Sequence, residues 1–95
     1  MIKTFADKET ENLFNRRFSK KLPQTLQPDA RMKLEILDAA NVFHDLNIPP
    51  GNRLEKLTGG REGQHSIRIN IQWRICFVWR SGDAYEVEIV DYHKG

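Results

Sequence analysis

Trp73-Arg74-Ile75-Cys76-Phe77-Val78-Trp79, followed after the turn Ser81-Gly82-Asp83 by Tyr85-Glu86-Val87-Glu88-Ile89-Val90-Asp91-Tyr92, decides the fold. In a strand successive side chains point to opposite faces. The first run therefore sets Trp73, Ile75, Phe77 and Trp79 on one face and Arg74 on the other, with Cys76 on the Arg74 side. Two such runs joined by a tight turn read as an antiparallel hairpin. Working backwards, Gln64 to Asn70 alternates Ile67 and Ile69 against Ser66 and Arg68. Ile71-Gln72 falls at a tight turn, and Arg53 to Leu57 is a further short strand punctuated by Gly59-Gly60.

The N-terminal half has helical spacing instead. Ala6 to about Lys21 reads as a helix with Asp7 as its N-cap, with Leu13, Phe14 and Phe18 on one side and with Pro23 as its stop. The cluster Arg16, Arg17, Lys20 and Lys21 then falls at its C-terminal end, where cations suit the helix dipole. A second helix is expected from Pro28, with Asp29 in its first turn, fading near Leu46. Asn47 to Gly51 is a loop, since two prolines and a glycine break either regular structure. Met1 to Phe5 alternates as a short strand. Two helices followed by an antiparallel sheet give an α+β fold in a single domain, residues 1–95.

Composition narrows the function classes. The chain has 95 residues, 39% of them hydrophobic, which fits one folded domain with a modest core. No apolar run approaches the roughly 18 residues that span a membrane, and no signal-peptide pattern opens the chain, so a cytoplasmic protein with no membrane partner is expected. The lone Cys76 excludes an internal disulfide and a cysteine-based zinc site. No two histidines are spaced as ligands in one element, so neither metal nor cofactor is expected. Net charge is +2, but residues 51–80 alone carry six basic and two acidic groups. Five of those six cations are arginines, whose planar fork matches phosphate oxygens.

Individual residues offer two chemical readings. Arg68 and Arg74, on one face of neighbouring strands, make a phosphate site that also stabilises charge building on phosphorus; alternatively they pair with Glu86 and Glu88 across the sheet. Asp91-Tyr92-His93 supplies a proton-transfer group beside a phenol that can donate a hydrogen bond or stack on a base; a frayed terminus is the alternative. His44 reads as a capping or surface residue, and His65 as a strand residue without a favoured RNA role. Cys76 reads as a small buried side chain. Gly59 to Gly63 lacks the ending of a phosphate-binding loop and reads as a turn.

The segments Gly51 to Asn70, Gln72 to Phe77 and Val90 to His93, together with Met-Ile-Lys-Thr-Phe at positions 1–5, resemble the HigB toxins, or plasmid-maintenance killer proteins, of the RelE superfamily. The likeness runs from residue 1 to His93. Trp-Arg-Ile-x-Phe followed some fifteen residues later by Asp-Tyr-His is its most specific part. The resemblance implies a RelE-like fold and a ribosome-dependent messenger-RNA endonuclease that needs no metal, in which the RNA's own 2′-OH attacks the adjacent phosphorus. It implies a HigA-like helix-turn-helix antitoxin as partner, with operator DNA bound only through that complex. On this pattern Arg74 holds the scissile phosphate, Asp91, Tyr92 and His93 complete the catalytic group with His93 moving the proton, and Arg61 and Arg68 bind RNA. Lys56 and Arg53 extend the RNA-binding surface. One departure stands out: Glu55 and Thr58 occupy positions where well-studied relatives carry a histidine and a lysine. Glu55 then takes the general-base role, or Lys56 supplies charge, or activity is slower than in those relatives; a branch similar to the GraT toxins shares the Arg-Leu-Glu arrangement of residues 53–55. A non-catalytic basic module that blocks a ribosomal or RNA site is the competing expectation.

Overall fold

A computed structural model describes residues 1–48 and 50–92. Helix α1 (Lys8–Phe14) starts where expected: the Asp7 carboxylate accepts from the Thr10 N–H at 2.9 Å, and Glu9 and Glu11 sit in the first turn. It stops a full two turns before Lys21. Arg16 adopts a left-handed φ of 63°, while its N–H donates to the Leu13 carbonyl (3.0 Å) and the Arg17 N–H to that of Asn12 (2.8 Å). That pair of bonds is a Schellman stop with arginine at the position glycine favours. The four cations therefore lie in the loop beyond α1, not in its last turn.

Helix α2 (Gln27–Ala39) follows a short 3₁₀ turn at Gln24–Leu26, with Pro28 in its first turn. It also ends earlier than expected. The Asp45 carboxylate accepts the N–H groups of Asn41 (3.0 Å) and Val42 (3.3 Å), starting a separate 3₁₀ helix at Phe43–Asn47. That local capping competes successfully with continued α-helix.

The strands β1 (Glu55–Lys56), β2 (His65–Arg68), β3 (Trp73–Arg80) and β4 (Asp83–Asp91) form an antiparallel meander in the order β1-β2-β3-β4. Strands β1 and β2 are shorter than the alternation suggests. Arg53 takes φ 43° ahead of β1, and the Asn70 side chain accepts from the Gln72 and Trp73 N–H groups (both 2.8 Å), turning the chain after β2. Ser81 and Gly82, at φ 53° and 83°, make the two-residue hairpin turn whose twist suits flanking strands. The opening residues do pair, as isolated parallel bridges Ile2 to Ala84 and Phe5 to Val87 on the outer edge of β4. A bulge at Glu86 (φ 52°) separates those bridges, and Thr4 satisfies it by accepting the Glu86 N–H at its hydroxyl, 2.8 Å.

The core lies between the helices and one face of the sheet. Leu13, Ala30, Leu34 and Leu37 meet Ile67, Ile75, Phe77, Val87 and Ile89, with Trp73 and Trp79 packed at the margin. The expected inward face of β3 is therefore the observed one. Thr10 locks the layers together, its buried hydroxyl accepting the Ile89 N–H at 3.0 Å. Arg74, Cys76 and Ser66 are left on the sheet's other face.

Candidate active site

On that face the register decides who meets whom. Glu55 lies opposite Ser66, Ser66 opposite Cys76, and Cys76 opposite Glu88. Arg74, one side-chain step along β3 from Cys76, reaches back over this row. Its Nε–H donates to the Ser66 hydroxyl at 2.7 Å and one terminal nitrogen to the Arg53 carbonyl. The other terminal nitrogen lies 3.0 Å from the Glu55 carboxylate. The Tyr92 ring covers the guanidinium, its centroid 5.3 Å from the central carbon, within the range of a cation–π contact. The left-handed turn at Arg53 brings its carbonyl into this cluster. As a result the Arg74 side chain is only 7% exposed, whereas its Glu55 partner is 51% exposed.

Beside this buried cation opens a cleft of about 470 Å³ lined by Glu55, Lys56, Leu57, Thr58, Gly60, Arg61 and Tyr92. Arg61 is braced by Gln64 (3.1 Å) and Glu88 (3.2 Å). Lys56 has no side-chain partner among the described residues. The Tyr92 N–H donates to the Gln72 carbonyl (2.7 Å), and the Gln72 side chain donates to the Asp91 carboxylate (3.1 Å), fixing the end of β4 against the turn after β2. His93 lies outside the described residues.

Several expected site residues thus converge: Arg74, Glu55, Tyr92, Lys56 and Arg61. Arg68 does not join them. It faces Arg74 in register, but its Nε–H donates to the Asn70 carbonyl at 3.1 Å and its side chain does not line the cleft. The alternative pairing is also revised, because Glu88 binds Arg61 rather than Arg68 or Arg74. Arg53 enters through its carbonyl, not its side chain. The sequence places Ser66 on the Arg68 face of its strand but does not mark it as a site residue. Only the strand register reveals that a serine two positions before Arg68 sits under the Arg74 guanidinium.

Burial raises the Cys76 thiol above its ordinary range, and Glu88 adds to this while Arg61 and Arg74 oppose it, so it stays a protonated, fully buried side chain. His65 faces the core side, edge-on to Phe43 at 4.7 Å between ring centres. Burial, and then the nearby Lys56 charge, hold its imidazole below the usual range. Its Nδ1 has no hydrogen-bond partner among the described residues. No group of three potential metal ligands occurs among the described residues.

The site therefore combines a guanidinium seated by neutral groups, a solvent-facing carboxylate on it, a phenol above it and two cations on the rim. That arrangement suits an anionic, base-bearing polymer whose phosphate can compete with Glu55 for Arg74. Comparison with known proteins points the same way. Residues 3–93 match the HigB-like toxin family, described as the RelE-like toxin of type II toxin-antitoxin system HigB. The chain is 41% identical over 95 residues to "Toxin HigB-1" of Vibrio cholerae serotype O1, covering 99% of each. It is 34% identical over 93 residues to "Endoribonuclease HigB" of Proteus vulgaris, covering 98% of this chain and all of that one. An uncharacterized protein of Haemophilus influenzae is 32% identical over 64 residues, 67% of this chain and 63% of its own length.

Proposed function

The chain belongs to the HigB-like family of RelE-type toxins from type II toxin-antitoxin systems, and from that premise we propose that it is an endoribonuclease cutting messenger RNA on the ribosome. A toxin of this type has an antitoxin partner; we take that partner to be HigA-like and to carry the operator-DNA contacts. Among the described residues no helix is long and apolar enough to cross a membrane.

One observation carries the mechanism: the Glu55 carboxylate sits on Arg74 at the wall of an open cleft, itself half exposed. A substrate phosphate entering the cleft takes the place of that carboxylate on the Arg74 nitrogen. Glu55, released but still adjacent, accepts the proton of the RNA 2′-OH as its oxygen bonds to phosphorus. The bond from phosphorus to the 5′-oxygen breaks, and that oxygen takes a proton from His93, next in sequence after Tyr92. Arg74 neutralises the charge that builds on the non-bridging oxygens, held at the right angle by Ser66 and the Arg53 carbonyl. Tyr92 caps the guanidinium and offers its ring to a base. Lys56 and Arg61 hold flanking phosphates on the rim.

A second reading has one observation in its favour. Every nitrogen of the Arg74 guanidinium is already engaged within the chain, as in a structural arginine. On that reading the basic face blocks a ribosomal site without cutting. Mapping messenger-RNA 5′ ends in cells expressing wild type, Glu55→Gln and His93→Ala separates the two. New internal ends in wild type, lost in both variants, support cleavage. Growth arrest with no new ends in wild type establishes the blocking module instead.

A further inference from the structure

The loop Asn15-Arg16-Arg17-Phe18-Ser19-Lys20-Lys21-Leu22-Pro23 contains four cations and no acid, and it takes no part in the cleft. Its backbone is fixed rather than loose. Ser19 is buried, and its hydroxyl accepts the N–H groups of Lys21 and Leu22 (both 3.3 Å) while bonding the Glu9 carboxylate at 2.5 Å. Gln27, also buried, donates to the carbonyls of Ser19 (2.8 Å) and Leu22 (3.0 Å). With Ser19 turned inward and Leu22 packed against the core, the loop presents its cations and Phe18 outward. Arg17, Lys20 and Lys21 are exposed, with no side-chain partner among the described residues. Between them Phe18 is 62% exposed, one of the most exposed large apolar side chains described.

We propose that this loop is a second RNA-binding surface, docking on the phosphate backbone of folded ribosomal RNA with Phe18 stacked on an accessible base. The inference rests on the ribonuclease reading for the presence of ribosomes. It goes beyond that reading by assigning a face the cleft does not use. The loop belongs to the helical layer, whereas Arg74 and its cleft lie on the opposite face of the sheet. A single strand threaded through the cleft has no need of it; a large RNA body flanking the toxin does. Lysine is depleted from the centres of protein–protein interfaces, whereas Lys and Arg interleaved with an exposed aromatic are what RNA surfaces select. An acidic stretch of the antitoxin is the rival occupant.

The test measures binding of full-length protein to purified ribosomes stripped of messenger RNA, as a function of salt. The triple variant Arg17→Gln/Lys20→Gln/Lys21→Gln is expected to bind about 10- to 100-fold more weakly near 0.1 M salt. The slope of log affinity against log salt should flatten by about two to three units. The charge-preserving set Arg17→Lys/Lys20→Arg/Lys21→Arg should bind as wild type, and Phe18→Ala should bind roughly tenfold more weakly. Unchanged melting temperatures certify that the variants are folded. Wild-type affinity and salt slope in the triple variant overturn the proposal. So does a triple variant that keeps the ribosome but loses the antitoxin, which makes the loop a protein contact. Wild type that binds ribosomes through this loop yet cuts no RNA sinks the cleavage mechanism and leaves this inference standing.

Discussion

Arg74 shows how one buried charge organises a site. A guanidinium taken out of water needs partners for its nitrogens, and here a serine, a backbone carbonyl and a carboxylate each engage one of the three. Ser66→Ala strips the Nε–H of its acceptor. The expected cost is about 1–3 kcal/mol in urea unfolding, with cleavage reduced because the guanidinium loses its aim. Unaltered stability would mean that another acceptor replaces Ser66. His65 carries a pH effect of definite sign. Its folded pKa lies below the unfolded value, so the unfolded chain binds the extra proton. The stability due to its neutral form is fully present above about pH 6.5. It is lost progressively as pH falls from there towards the folded value. His65→Phe should therefore be less sensitive to acid than wild type when unfolding is compared at pH 7.5 and pH 5. Parallel losses in the two proteins would assign the acid sensitivity to other groups.

At the scale of elements, the long strands β3 and β4 were legible, whereas the bounds of β1 and β2 and the helix ends were not. Period-two alternation is enforced by the core on one side, so it reads correctly from Trp73 to Trp79 and again after the bulge at Glu86, from Val87 to Asp91. Helix ends depend on single dihedrals and local caps. Arg16 and Lys20 are good helix formers, and nothing in their chemistry announces a left-handed turn at Arg16; likewise Asp45 caps backward only because the chain has already turned. The site was legible to the same extent. Arg74, Glu55, Tyr92, Lys56 and Arg61, which the structure brings together, are marked in the sequence by charge and by resemblance. Ser66 and the place of Arg68 outside the cleft depend on register, which no single strand reveals. The left-handed Arg16 also yields a prediction. Arg16→Gly relieves roughly 1–2 kcal/mol of crowding. Against this stand about 0.5–1 kcal/mol of added freedom in the unfolded glycine and a few tenths for the exposed pair with Glu35. The melting temperature should rise by about 2–4 °C; a fall would show that the Glu35 pair matters more than the backbone.

Across the whole molecule the sheet divides two tasks. One face carries Ile67, Ile75, Phe77, Val87 and Ile89 against the helices and supplies stability; the other carries Ser66, Arg74 and the cleft, to which we assign the chemistry. Such a division predicts that stability and activity can be varied separately. Leu34, fully buried in α2, touches the first task alone. Leu34→Ala should cost about 2–5 kcal/mol through the lost contacts and the cavity left behind, a large part of the roughly 5–15 kcal/mol that a domain has. Yet the fraction that remains folded keeps its strands in register, and so keeps Glu55, Ser66 and Arg74 together. At a temperature where circular dichroism shows most molecules folded, its cleavage rate per folded molecule should match wild type within about twofold. Ser66→Ala should do the reverse at equal stability loss, cutting more slowly than its folded fraction explains. If Leu34→Ala slows cleavage per folded molecule as much as Ser66→Ala does, packing on the inner face sets the geometry on the outer one, and the two faces act as one unit.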